Sequence, residues 1–204
     1  MPTTLRTFAR ALAAVAIATV CTSAAAAQAQ PGAVASHRGA VVSSSSIASD
    51  IGAAALSRGG NAVDAAVATA FALAVTHPSA GNIGGGGFMI VRMASGEART
   101  FDFRERAPRS STPTMFQNAD GTIAYARADS GWLSPGVPGT VRGLALAHRR
   151  FGSLPWRDVV MPSADLAARG FVLTPALADE LNYALRDIFA PFPSSVAAYG
   201  KPGG

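Results

Sequence analysis

The residue whose type and position most suggest chemistry is Arg104, at the end of a predicted β-strand. An arginine held on a strand can bind a carboxylate through two parallel hydrogen bonds from its guanidinium group. Each charge-assisted bond of this kind contributes about 1.5–3 kcal/mol. The alternative is an ion pair with the neighbouring Asp102 or Glu105, which contributes about 0–1 kcal/mol when it is solvated. Residue types alone favour the solvated ion pair.

A run of glycines, within Gly81-Asn-Ile-Gly-Gly-Gly-Gly87, is the most unusual stretch of the chain. It does not fit the Gly-x-Gly-x-x-Gly pattern of dinucleotide-binding loops, and no Gly-Lys-Ser/Thr follows it. Consecutive glycines allow a ligand or another segment to approach the backbone closely. Two interpretations stay open: the run forms the wall of a substrate pocket, or it forms a tight turn packed against an Ala-rich helix.

The other polar residues of interest do not form a nucleophile motif or a metal site. Ser134 lies in Gly131-Trp-Leu-Ser-Pro-Gly136, which is one residue too long for Gly-x-Ser-x-Gly, so we interpret it as structural. His77 precedes a proline at a predicted helix end, where a lone histidine is more often structural than catalytic. The spacing of Cys and His residues fits no metal site.

The elements that position Arg104 can be predicted from hydrophobic periodicity and capping residues. Asn61 is a good N-cap, and Asp64 lies in the first turn after it, where a carboxylate favours the helix. The segment after Asn61 is apolar on every face, which is typical of a helix buried on all sides. The predicted elements before Arg104 are a short strand at 41–42, helices at 47–58 and 62–75, and strands at 88–93 and 98–103 around a Ser95-Gly96 turn.

After Arg104 the sequence predicts a long irregular segment, 108–134, and then a series of helices. Pro138 is the predicted first residue of a helix that stops at Gly152. The predicted buried face of this helix consists of Val141, Leu144, Ala145 and His148. Further helices are predicted at 155–169, with a kink at Pro162, and at 175–188, with Thr174 as N-cap, before a Pro/Ser/Gly-rich end.

Composition and charge limit the class of protein. The 204 residues are 49% hydrophobic and 14% charged, which excludes a disordered polar chain and suits one domain or part of a larger one. The net charge of +5 comes from scattered arginines, with no basic run longer than Arg149-Arg150. Nucleic-acid binding needs a concentrated basic surface, so we expect no nucleic-acid partner.

Residues 1–29 are typical of a signal peptide. Arg6 and Arg10 precede an apolar stretch, 11–20, and Ala27-Gln-Ala29 fits the small-residue cleavage rule. The apolar stretch is shorter than the roughly 20 residues that span a bilayer, so we expect no membrane partner. We therefore divide the chain into a signal peptide (1–29), a linker (30–40) and a folded part (41–204), and expect a periplasmic or secreted protein.

Seven short segments, taken together and in this order, identify a family resemblance that covers residues 39–190. They are Gly59-Gly-Asn-Ala-Val-Asp-Ala-Ala-Val-Ala68, Thr76-His-Pro78, Gly81-Asn-Ile-Gly-Gly-Gly-Gly-Phe-Met89, Asp102-Phe-Arg104, Pro138-Gly-Thr-Val141, Arg169-Gly-Phe-Val172 and Leu177-Ala-Asp-Glu-Leu181. In these segments the chain resembles the gamma-glutamyltranspeptidases, also called glutathione hydrolases.

The resemblance implies an α+β N-terminal nucleophile hydrolase fold, a four-layer αββα sandwich of which only the N-terminal portion is present. Such proteins are precursors that cleave themselves into a large and a small subunit. The nucleophile is the N-terminal threonine of the small subunit, and its own amine serves as base. The implied substrates are glutathione or other gamma-glutamyl compounds, with water or an acceptor amino acid or peptide completing the reaction. The resemblance implies no metal and no organic cofactor.

Arg104 matches the arginine of the family that holds the α-carboxylate of the glutamyl group, which favours the functional interpretation of this residue. Arg106, two residues later, departs from the family pattern. The Thr-Thr-His type motif that begins the small subunit does not occur before Gly204. We therefore expect this chain to be the N-terminal part of the large subunit, to lack the nucleophile, and to be inactive by itself.

Two other interpretations are consistent with the sequence. One is a related cephalosporin or glutaryl acylase of the same fold. The other is a non-catalytic, truncated secreted protein. In this second case the incomplete sheet is expected to expose unpaired edges and apolar faces, and the protein to aggregate when expressed alone.

Overall fold

The structure is a computed structural model that describes Ser36 and residues 39–201. The predicted signal peptide (1–29) and most of the predicted linker (30–40) lie outside the described residues. The helices and strands of the described part, in chain order, are α1 (Ser46–Ser57), α2 (Ala62–Thr76), β1 (Phe88–Arg92), β2 (Ala98–Asp102), α3 (Tyr125–Asp129), α4 (Thr140–Phe151), α5 (Trp156–Arg169), α6 (Pro175–Tyr183), a π-helical turn (Ala184–Ile188) and α7 (Pro193–Tyr199).

Helix α2 lies at the centre of the core, as its apolar sequence predicts. It packs against α1, α4 and α5, and most of its side chains are buried, although Ala62 and Ala66 are exposed. Small residues let the helices approach closely: a Cβ added at Gly52 of α1 would collide with the side chain of Thr69. The larger buried side chains of the core are Val63, Val67, Phe71, Val91, Phe101, Leu144 and Val159.

The start of α2 is held by a capping box, which confirms the predicted N-cap. The Asn61 side chain accepts hydrogen bonds from the N–H groups of Val63 and Asp64, and the Asp64 carboxylate accepts one from the N–H of Asn61. Paired bonds of this kind satisfy donors that a helix start otherwise leaves without partners. The residue at which α2 begins is therefore determined by a local signal in the sequence.

Strands β1 and β2 form an antiparallel hairpin in which Phe88 pairs with Asp102 and Arg92 with Ala98. Each strand ends one residue earlier than predicted, and the predicted turn is confirmed at Gly96, whose φ of +89° favours glycine. Phe101 is buried and Asp102 is exposed, as the alternation predicts. The hairpin thus places residue 104 just beyond the end of β2.

Several predictions about the elements were wrong. Val41 and Val42 form no strand, since no strand lies beside them among the described residues. The segment 108–134 contains the short helix α3, and the Pro/Ser/Gly-rich end contains α7. Pro155 is the N-cap of α5 rather than its first residue. The prediction of a helix over 175–188 with Thr174 as N-cap is confirmed, although its last five residues form the π-helical turn.

Helix α4 begins two residues after Pro138, and its predicted buried face is confirmed at Leu144 and His148 but not at Val141 and Ala145. Its buried residues are Thr140, Gly143, Leu144, Ala147 and His148, whereas Val141 is 43% exposed and Ala145 is half-buried. The reason is a close contact: Gly143 lies directly against the ring of Phe103, where no side chain would fit. This contact turns the glycine toward the core and Val141 toward solvent.

Candidate functional site

Arg104 lies on the surface at the end of β2, and two hydrogen bonds fix the backbone at and just before it. The N–H of Phe103 donates to the carbonyl of Gly87 at 3.0 Å. The N–H of Arg104 donates to the carboxylate of Asp102 at 3.0 Å. These two bonds hold the chain at the point where the arginine side chain leaves it.

The guanidinium group of Arg104 faces solvent, with its side chain 70% exposed. Its Nε lies 3.4 Å from the Glu105 carboxylate, so the sequence-based alternative of a neighbouring ion pair is present with Glu105 and not with Asp102. An exposed pair contributes about 0–1 kcal/mol. Within the described residues, Glu105 supplies the sole carboxylate within 4 Å of this guanidinium.

An open groove of about 650 Å³ lies beside Arg104. Arg104, Glu105 and Arg106 form one side of the groove, and its apolar lining includes Met115, Phe116 and Leu133. Two guanidinium groups and one carboxylate make this side positively charged. The arrangement suits an organic anion whose carboxylate pairs with an arginine while its carbon chain lies against the apolar wall.

The glycine run lines the groove at one residue and packs against α2 at another. Gly84 lines the groove with open space around its Cα, so it forms part of the wall. Gly81 packs against the backbone of Leu73 in α2, which is the packed-turn interpretation. A Cβ at Gly86 would lie 2.5 Å from the Glu105 carboxylate and 2.6 Å from the Glu105 nitrogen, so this glycine allows the segment that carries Arg104 to lie close.

Asn82 and Thr140 join the glycine run to the start of α4, a connection that the sequence analysis missed. The Asn82 side-chain oxygen accepts a hydrogen bond from the N–H of Gly85 and another from the hydroxyl of Thr140. In return, the carbonyl of Gly85 accepts the N–H groups of Gly139 and Thr140 at 2.8 and 3.1 Å. An asparagine inside a glycine run was the available signal, but its partner lies 58 residues away.

Asp64 and His148 form a second polar cluster, inside the core and away from the groove. The Asp64 side chain is fully buried and accepts the N–H groups of Ser153 and Leu154 at 3.0–3.2 Å. His148 Nε2 lies 3.1 Å from the same carboxylate. The sequence analysis found the capping role of Asp64 but not these long-range partners. The cluster joins α2 to α4 and to the connection between α4 and α5.

Of the other two candidate residues, Ser134 lies on the same groove as Arg104, whereas His77 does not line this groove. Ser134 lines the groove, and its hydroxyl donates to the backbone carbonyl of Arg127 at 3.2 Å. His77 is the C-cap of α2 and lines a separate cavity of about 370 Å³. Over the residues that the structure describes, no three His, Cys, Asp or Glu side chains are grouped to hold a metal ion. No helix in the same residues is long and apolar enough to cross a membrane.

Comparisons with known proteins agree with the resemblance found in the sequence. The sequence model of one family, described as gamma-glutamyltranspeptidase, matches residues 48–203. The glutathione hydrolase proenzyme of Escherichia coli (strain K12) is 42% identical over 170 residues, which are 83% of this chain and 29% of that protein. The chain therefore spans less than a third of the length of this relative.

Solved structures give the same result for the fold. The gamma-glutamyltranspeptidase of Helicobacter pylori superposes with a TM-score of 0.80 at 40% identity, over 84% of this chain and 49% of that one. The gamma-glutamyltranspeptidase of Pseudomonas nitroreducens, solved as a complex with L-DON, superposes with a TM-score of 0.72 at 41% identity, over 83% and 51%.

These matches confirm the predicted fold class. The fold is that of the α+β N-terminal nucleophile hydrolases, and the described helices and hairpin form part of the domain. The family model covers most of the chain, and the relative from Escherichia coli is well over 30% identical to it. The chain belongs to the gamma-glutamyltranspeptidase family.

Proposed function

We propose that residues 41–204 are the N-terminal part of the large subunit of a gamma-glutamyltransferase and glutathione hydrolase. Family membership supports this proposal, and the names of the relatives as proenzymes support a processed precursor. The signal peptide proposed at 1–29 delivers the protein to the periplasm or beyond. In this proposal the nucleophilic threonine belongs to a small subunit from the same precursor, and residues 41–204 are inactive without it.

Arg104 is the proposed substrate anchor, and one observation carries this assignment: its guanidinium is exposed on an open groove, and among the described residues Glu105 alone has a carboxylate within 4 Å of it. The Glu105 contact is at Nε, at one edge of the planar guanidinium group. The two terminal nitrogens can then form a bidentate pair with the α-carboxylate of a gamma-glutamyl compound.

Anchoring the α-carboxylate fixes where the γ-carbonyl lies. In the proposed reaction the threonine oxygen bonds to the γ-carbonyl carbon, the amide C–N bond breaks, and the amine leaves with a proton. Water or the amine of an acceptor amino acid or peptide then attacks the same carbon and releases the threonine. Arg104 takes no part in the proton transfers; it holds the reacting carbonyl within reach of the nucleophile.

The test replaces Arg104 in the protein expressed from its complete gene, with any further chain that the gene encodes. We expect Arg104→Gln to lower kcat/KM for a gamma-glutamyl anilide at least about 100-fold, because two charge-assisted bonds are lost. Arg104→Lys keeps the positive charge but not the two parallel N–H donors of the guanidinium, so we expect it to retain more activity than Arg104→Gln but less than the unsubstituted protein. Arg157→Gln, at an exposed arginine of α5, is the matched control.

Wild-type turnover in Arg104→Gln would show that the anchor is wrongly assigned. If the unsubstituted protein hydrolyses a cephalosporin side chain and leaves gamma-glutamyl compounds intact, the acylase alternative replaces this proposal. If the gene ends at codon 204 and its product has no activity, the truncated, non-catalytic alternative replaces it.

A further inference from the structure

A second cleft, of about 290 Å³, lies between the end of β2 and the first turn of α4. Arg104 and Arg106 line both this cleft and the groove described above, so they stand at the boundary between the two. Arg142, in the first turn of α4, is a third arginine on the cleft, and Val137 and Leu146 contribute apolar surface. Three arginines therefore line a space that can hold a small molecule.

The positive charge of this cleft is mostly uncompensated. Asp102 is the one acidic residue in its lining, and its carboxylate accepts the backbone N–H of Arg104. Across the described part of the chain, no carboxylate oxygen lies within 4 Å of the guanidinium nitrogens of Arg106 or Arg142. Two arginines without counter-ions on one cleft are arranged to receive an anion.

The backbone that carries these arginines is held in place. Arg106 and Val137 form an antiparallel bridge, with N–H to carbonyl distances of 3.3 and 2.8 Å. Arg142 extends from a helix whose start is bonded to Gly85 and whose Gly143 lies against the ring of Phe103. A site built on fixed backbone binds more tightly than one that must be ordered first.

We propose that Arg106 and Arg142 bind a second carboxylate of the substrate, carried by the part that leaves when the gamma-glutamyl bond is cut. This inference rests on the proposed function, in which Arg104 holds the α-carboxylate. Because Arg104 lies at the boundary of both cavities, a substrate anchored there can extend across Arg106 and Arg142. The site then selects gamma-glutamyl peptides with a free terminal carboxylate over gamma-glutamyl compounds with a neutral leaving part.

The test compares γ-glutamylglycine with γ-glutamylglycinamide, which differ in the charge of the leaving part. For the protein from its complete gene, we expect kcat/KM to be at least about tenfold higher for the carboxylate than for the amide. Arg106→Gln and Arg142→Gln should each lower this ratio several-fold, and Arg157→Gln should leave it unchanged. Raising the salt concentration should lower the ratio as well, since the selecting charges are partly exposed.

The outcomes separate this inference from the proposed function. If both compounds are cleaved and the ratio of their kcat/KM values is near one in all variants, the second carboxylate site is refuted while the proposed function stands. If neither is cleaved, the proposed function fails, and calorimetric titration with the same two compounds decides the site by itself. If the carboxylate and the amide give equal heats of binding, or none, the second carboxylate site is refuted. If γ-glutamylglycine binds more tightly than the amide and Arg142→Gln abolishes this difference, the site is supported.

Discussion

Asp64 shows how much one buried carboxylate can hold together. Its two oxygens accept N–H groups from Asn61, Ser153 and Leu154, and His148 lies against it. A charged group that is fully removed from water is tolerated where hydrogen-bond donors surround it. The same donors would be costly to leave unpaired, because each buried N–H without a partner costs about 1–3 kcal/mol.

We expect Asp64→Ala to lower the free energy of unfolding by at least about 2 kcal/mol, because it leaves several buried N–H groups without an acceptor. Asp64→Asn keeps one acceptor oxygen and should cost less. Urea denaturation of the protein from its complete gene measures both changes. Asp165→Ala, at an exposed position of α5, serves as control and should change the stability by less than about 0.5 kcal/mol. If Asp64→Ala lowers the free energy of unfolding no more than the control does, the role of Asp64 as an acceptor for buried N–H groups is refuted.

At the scale of elements, the glycine run, the hairpin and α4 meet around residues 103–105. Gly86 and Gly136 lie against Glu105, Gly143 lies against the ring of Phe103, and Gly139 lies against the Phe103 carbonyl. Side chains at these positions would push the segment outward, because protein interiors leave no room for an added methyl group. The position of Arg104 thus depends on glycines contributed by two separate parts of the chain.

Gly84 and Gly86 offer a matched pair of substitutions for this idea. We expect Gly86→Ala to displace the 103–105 segment and to raise KM for gamma-glutamyl substrates about tenfold or more, since small misplacements of an anchor weaken binding strongly. The methyl group that Gly84→Ala adds to the groove wall meets no protein atom within 4 Å, so this variant should leave the 103–105 segment in place and raise KM less. Steady-state kinetics on both variants checks the pair. Equal KM values for the two variants would show that the close contact at Gly86 does not position Arg104.

At the scale of the whole molecule, the described part leaves much apolar surface uncovered. Ile90 and Phe88 on β1 are 78% and 63% exposed, and Trp132 is 97% exposed. The hairpin pairs only with itself among the described residues, so both strands keep an unpaired edge. Exposed edges and apolar side chains of this kind favour association between chains.

We therefore expect residues 40–204, expressed alone, to form dimers or larger aggregates at micromolar concentration. Size-exclusion chromatography with light scattering measures the mass directly. The product of the complete gene, run under the same conditions, is the control and should elute at a single defined mass. A monomeric 40–204 chain that melts cooperatively would contradict this expectation and would show that these residues form an independent domain.

Local signals in the sequence determined a large part of this structure. The caps at Asn61 and Thr174, the turn at Gly96 and the apolar helix α2 were all predicted, because each depends on residues within a few positions of one another. The ordered motifs, including the one that contains Arg104, also determined the family without any coordinates. Information of this kind is carried by residue type and short spacing.

Only the tertiary structure decided which distant groups meet. The bond between Asn82 and Thr140, the partners of Asp64 beyond its own helix, and the cleft shared by Arg104 and Arg142 all join segments that are far apart in sequence. The buried face of α4 was predicted correctly at Leu144 and His148 but wrongly at Val141 for the same reason, since the ring of Phe103 lies against Gly143. Hydrophobic periodicity reports that a helix has an inner face, but close packing against other elements decides which residues that face contains.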